Sequence, residues 1–213
     1  MPLGTLVAPP IRAQQKPIII GVLSSHNSQE DAAAKIAFLQ AMRELGYVED
    51  KHFKIAPRFA DGRSDRLSVL AAELVGLNPD VILASGTPAA VAASQDTTTI
   101  PIAFDSVGDP IRIGLADSLS HPGRNSTGLS NFSGDLGGKK LQFLLQMVPS
   151  VTRVALLLNP MNPNLAKGKP KLLAAAKKLG LTILEFSAST PEEVGPAFTS
   201  MAQQHVQGRV HRG

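Results

Sequence analysis

Short apolar runs alternate along the chain with polar loops and with stretches whose apolar residues recur at helical spacing. Ile18-Ile19-Ile20-Gly21-Val22-Leu23 is continuous and apolar, the pattern of a strand covered on both faces. Residues 29–45 follow with Ala34, Phe38, Met42 and Leu45 on one helical face, and Gly46 stops the helix. A strand at 52–59 precedes a helix at 64–76 with Leu67, Leu70, Ala71 and Leu74 in register. Strand 81–84 runs into the elbow Ser85-Gly86-Thr87-Pro88 and an alanine-rich helix, with Pro88 expected at its first position. A fourth strand at 101–105, a polar loop, a short helix, the turn "HPGRN" and the strand "STGLSNF" complete a first series.

The grammar then restarts. Residues 139–148 form a helix with Leu141, Leu144, Leu145 and Val148 inward, "VTRVALLLNPMNPN" is a strand and its loop, and 164–179 is a lysine-studded helix. "LTILEFS" is a further strand, and Thr190-Pro191-Glu192-Glu193 opens a helix with cap, proline and acids in order. Strands alternating with helices predict right-handed βαβ units and parallel sheets. The predicted fold is therefore α/β: a first lobe at 17–132 and a partial second lobe at 133–200. Residues 1–16 read as a tail or the remnant of an export signal, and 201–213 ("MAQQHVQGRVHRG") as an irregular tail without an apolar run.

Composition narrows the chemistry more than the fold. Of the 213 residues 43% are hydrophobic, enough for a real core, and no stretch approaches the length of a membrane span. With 4% aromatics and no Trp, an aromatic stacking surface for nucleic acid is not expected. The net charge of +4 comes largely from lysines around 167–178, which read as a solvated helix face. The absence of cysteine removes disulfides, thiolate nucleophiles and Cys-type zinc sites.

In open parallel sheets, ligands bind beyond the carboxyl ends of the strands. Those ends carry Ser24-Ser25, Ser85-Gly86-Thr87, Ser106-Val107-Gly108-Asp109 and Asn159-Pro160-Met161-Asn162. Hydroxyls and amides with one carboxylate can hold a small polar molecule and have few means to transform it. No glycine-rich phosphate cradle, nucleophile elbow or i, i+4 histidine pair occurs, so no cofactor, metal site or catalytic residue is expected.

Three stretches carry a resemblance: "LGYVEDKHFKI", "SGTPAAVAASQDTTTIPIAFDSVGDPIRIGLADSLSHPGRNSTGLSNFS" and "GKKLQFLLQMVPSVTRVALLLNPMNPN". They resemble the bacterial ABC transporter substrate-binding proteins of the TrpX-like family, from about 17 to 200 and most specifically over 85–134. The resemblance implies a type I periplasmic binding fold, in which two α/β lobes close on a ligand. It also implies periplasmic delivery of a solute, aromatic amino acids in characterised relatives, to a permease in the inner membrane, without catalysis. On that reading the chain is a truncated form, prone to self-association. The free amides at the Ser85–Pro88 helix start then suit the carboxylate of an amino-acid-like solute. Asp109 complements its ammonium group, Ser24, Ser25 and Ser106 complete the first wall, and Asn159 and Asn162 come from the second lobe. Two other readings stay open: the effector domain of a LacI-like regulator, and a doubly wound enzyme.

Overall fold

The computed structural model describes residues 16–131 and 136–212. The expected N-terminal tail, apart from Lys16, and the expected lobe boundary at 132/133 fall outside the described residues. The first sheet contains β1 (Ile18–Ser24), β2 (Phe53–Phe59), β3 (Val81–Ser85), β4 (Ile102–Val107) and β5 (Ser126–Ser130). Their order is β2-β1-β3-β4-β5. Every pairing is parallel, from Ile18↔Phe53 between β1 and β2 to Ile102↔Ser126 between β4 and β5. The order reverses between β1 and β3, which opens a crevice at their carboxyl ends.

Side chains alternate across a strand, so one contact per face assigns the helices. A Cβ built on Gly21 of β1 would lie 3.0 Å from Leu74. That contact sets α2 (Leu67–Gly76) on the face with Leu23, Ile82, Ala84, Ile102 and Phe104. Alanines 89, 90, 92 and 93 of α3 (Thr87–Asp96) join the same core. Helix α1 (Ala32–Glu44) lies on the opposite face, where Phe38 meets the ring of buried Phe53 edge-on at 6.2 Å. A single helical turn, α4 (Pro110–Ile113), follows β4.

After α5 (Gly137–Met147) comes the second sheet, β7-β6-β8, built from β6 (Arg153–Leu158), β7 (Thr182–Ser187) and β8 (Gly208–Arg212). Helices α5 and α6 (Pro163–Lys178) cover one face through Leu141, Val154, Leu156 and Leu172. Helix α7 (Pro191–Gln203) covers the other through Ala155, Leu157, Phe186 and Met201.

The expectation of an irregular tail from 201 fails. Helix α7 continues to Gln203, and β8 pairs parallel to β6 from Val154↔Gly208 to Leu158↔Arg212. What fixes this strand is backbone pairing and one polar clamp, which no apolar run advertises. The Gln207 side-chain oxygen accepts from the Thr152 amide at 2.9 Å and from its hydroxyl at 3.0 Å. Gly208 then fits where a Cβ would come within 2.9 Å of Leu144.

Candidate functional site

The loops after β1, β3, β4, β6 and β7 open into one cleft of about 720 Å³ between the two sheets, a volume suited to a small molecule. Gly86 begins the first wall. Its φ of +89° is a left-handed conformation that glycine adopts without strain, and it caps α3 while donating to the Asp105 carbonyl at 3.1 Å. A Cβ there would sit 3.1 Å from the Ser25 hydroxyl, so the glycine also leaves room for Ser25. Helix α3 starts at Thr87, which places Pro88 at the second position rather than the expected first. The substitution of one orphan position for another leaves the helix end equally free, since proline has no N–H to lose.

Seven of the ten expected residues line the cleft: Ser25, Gly86, Thr87, Pro88, Ser106, Asn159 and Asn162. Ser106 reaches it through an irregularity in β4. The register to β5 shifts between Phe104 and Val107, and Ser106 takes φ +53°. A bulge of this kind re-aims a side chain at a strand end. Asn162 caps α6, accepting from the Asn164 amide at 3.0 Å. Asn159 accepts from the Met161 amide at 2.9 Å and reaches Ser64 of the other wall at 3.3 Å.

Three expected residues are engaged elsewhere. Ser24 is fully buried and accepts from the His26 amide at 3.0 Å. Ser85 donates to the Asp105 carboxylate at 2.8 Å, across to the next strand. Asp109 caps α4: one oxygen accepts from the Arg112 amide at 3.0 Å and the other lies 3.3 Å from the Arg112 guanidinium. Each belongs to a strand end as predicted, but a strand end offers its side chains to two faces and to its own helix cap, and local partners took these three.

Sequence reasoning missed Asn164, Lys140, Ser64 and the segment Ala188–Pro191, all of which line the cleft. Asn164 was within reach, being the third asparagine of "NPMNPN" and the second residue of α6. It crosses the cleft to donate to the Thr87 hydroxyl at 3.1 Å, and that hydroxyl also accepts from the Gly108 amide at 3.1 Å. Two further ties join the lobes: Lys167 donates to the Arg112 carbonyl, and Gly62 approaches Pro191 so closely that a Cβ would lie 2.9 Å from its ring.

The electrostatics favour an anionic group. The first turns of α3, α6 and α7 all line the cleft, each with a proline in its opening positions. Each presents the positive end of its dipole, and α3 adds amides left free in its first turn, whereas the first amides of α6 and α7 are taken by Asn162, Thr190 and Glu192. Lys140 adds a cation, and Glu30 is the one carboxylate among the described lining residues. The Glu192 carboxyl, beside the cleft at the start of α7, is held below its ordinary value by its own backbone amide and by Thr190. Ser25 Oγ and Asn164 Oδ1 are buried without a hydrogen-bond partner. Among the described residues no cluster of His, Cys, Asp or Glu could hold a metal, and no helix is long and apolar enough to cross a membrane.

Comparison with known proteins gives this geometry a family. Residues 18–210 match the ABC transporter substrate binding protein family, and the chain belongs to it. It is 31% identical over 188 residues to the tyrosine-binding protein of Clostridioides difficile, covering 88% of this chain and 53% of that protein. A solved conserved domain protein from Vibrio cholerae superposes with a TM-score of 0.75 at 28% identity, over 89% of this chain and 63% of the other. The L-Trp complex of an ABC domain from Streptococcus pneumonia gives 0.75 at 23% identity, over 92% and 65%. The chain thus spans about half the length of the curated relative and shares the type I periplasmic binding fold.

Proposed function

We propose that this chain is the solute-recognising part of an ABC importer, holding a small amino acid, aromatic ones included, in the inter-lobe cleft. The observation that carries the reading is the convergence of three helix starts on one cleft at the carboxyl ends of both sheets. The free amides of α3, with the dipoles of all three helices aimed at one place, hold a carboxylate without a dedicated cation. Pro88, Leu165, Pro191 and Val194 give the same cleft an apolar side for a ligand's hydrocarbon part. The 31% identity to a tyrosine-binding protein points to the same solute class. Release would be to a membrane permease, on the outer side of the cytoplasmic membrane. Nothing in the cleft favours the regulator or enzyme readings over this one.

Calorimetric titration with L-tyrosine tests it. Binding should occur, and Thr87→Val should weaken it by about 1–3 kcal/mol, because a buried ligand oxygen loses a donor. Asp109→Asn should leave affinity unchanged, its carboxylate being committed to α4. The absence of binding to L-tyrosine and to every other standard amino acid would remove the reading.

A further inference from the structure

We infer that Thr87 and Asn164 together read the α-amino-acid head group, with a neutral amide oxygen, rather than a carboxylate, receiving the ligand's ammonium. This deepens the solute reading above and rests on it.

A hydroxyl has two acceptor sites and one proton. Thr87 Oγ1 already accepts from Gly108 N and from Asn164 Nδ2, each at 3.1 Å. Its acceptor capacity is filled, so its proton is left for an oxygen supplied from the cleft, at the start of α3 where a carboxylate is favoured. Asn164 shows the opposite remainder. Its side-chain nitrogen is committed to Thr87, and its backbone amide to Asn162 Oδ1 at 3.0 Å. Its Oδ1 is shut from solvent with no donor, in a residue only 9% exposed. A buried amide oxygen of this kind is unfavourable until a donor arrives.

One hydrogen bond therefore sets a free donor beside a free acceptor, the complement of a carboxylate and an ammonium on a single α-carbon. Competing acceptors are weak. Asp109 is occupied by Arg112, and Glu30 is exposed and accepts from the Asn27 amide at 3.2 Å. Ser25 Oγ, buried without a partner on the other side of Gly86, is a second neutral contact. Because Thr87 and Asn164 belong to opposite walls, a head group that engages both also holds the lobes together.

The test compares L-tyrosine with 3-(4-hydroxyphenyl)propionate, which lacks only the amino group, by calorimetry on the 213-residue chain. The unaltered chain should prefer tyrosine by about tenfold or more, the worth of one charge-assisted hydrogen bond. Asn164→Leu should abolish that preference by weakening tyrosine alone. Asn164→Asp keeps an acceptor but loses the Nδ2 donor to Thr87, so it should weaken both ligands while keeping or increasing the preference for tyrosine over the propionate. Circular dichroism melts establish that each variant is folded. Preference surviving in Asn164→Leu, or lost in Asn164→Asp, overturns the inference. Equal binding of both ligands by the unaltered chain does the same while leaving the solute reading intact. Binding of neither removes both.

Discussion

On one face of the first sheet, Leu67, Leu70, Ala71 and Leu74 of α2 are all buried; on the other, α1 has no buried residue. The two helices announce themselves in the sequence by the same spacing. In α1 the expected inward row shows Phe38 and Met42 half-buried, while Ala34 and Leu45 are exposed, Leu45 by 72%. The strands show the difference only at the edge. Leu23, Ile82, Ala84, Ile102 and Phe104 join the core on the α2 side, and Ile20 and Phe53 are buried on the α1 side, but Leu129 of the edge strand β5 on that side is 76% exposed. Periodicity identifies which side of a helix is apolar. It carries no information about how much partner surface is present to cover that side.

The largest expected effect tests the well-covered face. Leu74→Ala should destabilise the chain by about 2–5 kcal/mol, read from the urea midpoint, because a fully buried side chain leaves a cavity. Gly21→Ala follows at about 1–3 kcal/mol, since the new methyl would press on Leu74 at 3.0 Å. The two changes should partly cancel when combined, the added methyl occupying space the leucine vacates, and strict additivity would mean that Gly21 and Leu74 are not in contact.

On the poorly covered face the effects shrink. Phe38→Ala should cost about 1–2 kcal/mol, from a half-buried ring and its edge contact with Phe53. A loss as large as that of Leu74→Ala would show α1 to be as firmly seated as α2.

The same distinction between local pattern and what surrounds it explains how far the sequence could be read. Parallel pairing in the first sheet follows from βαβ alternation, because each crossover must return over the sheet, whereas the order β2-β1-β3-β4-β5 does not. β8 was illegible, since its place depends on Gln207 holding Thr152 and on a glycine fitting against Leu144. The candidate site divides in the same way. That Gly86, Thr87 and Pro88 would lie at the cleft was legible because a strand–glycine–helix junction fixes its own geometry. Ser85 and Asp109 do not line the cleft, because their neighbours Asp105 and Arg112 claim them. Asn164 was missed because its hydrogen-bond partner Thr87 lies 77 positions away.

The smallest effect is the most informative about α1. Leu45 ends the helix at its C-cap, followed by Gly46 at φ +87°, and most of its side chain faces water. Leu45→Gln removes little buried area and keeps the cap backbone, so stability should change by no more than about 0.5 kcal/mol. Ile36, 67% exposed, should behave alike. Urea unfolding at two protein concentrations a hundredfold apart makes the measurement decisive. A loss above about 1.5 kcal/mol that grows with concentration would mean that a second copy covers the α1 row in solution. The contrast between the two faces would then belong to the isolated chain and not to its assembled state. A loss of that size independent of concentration would instead place Leu45 against the chain's own surface, and the description of α1 as the loosely held helix would fail.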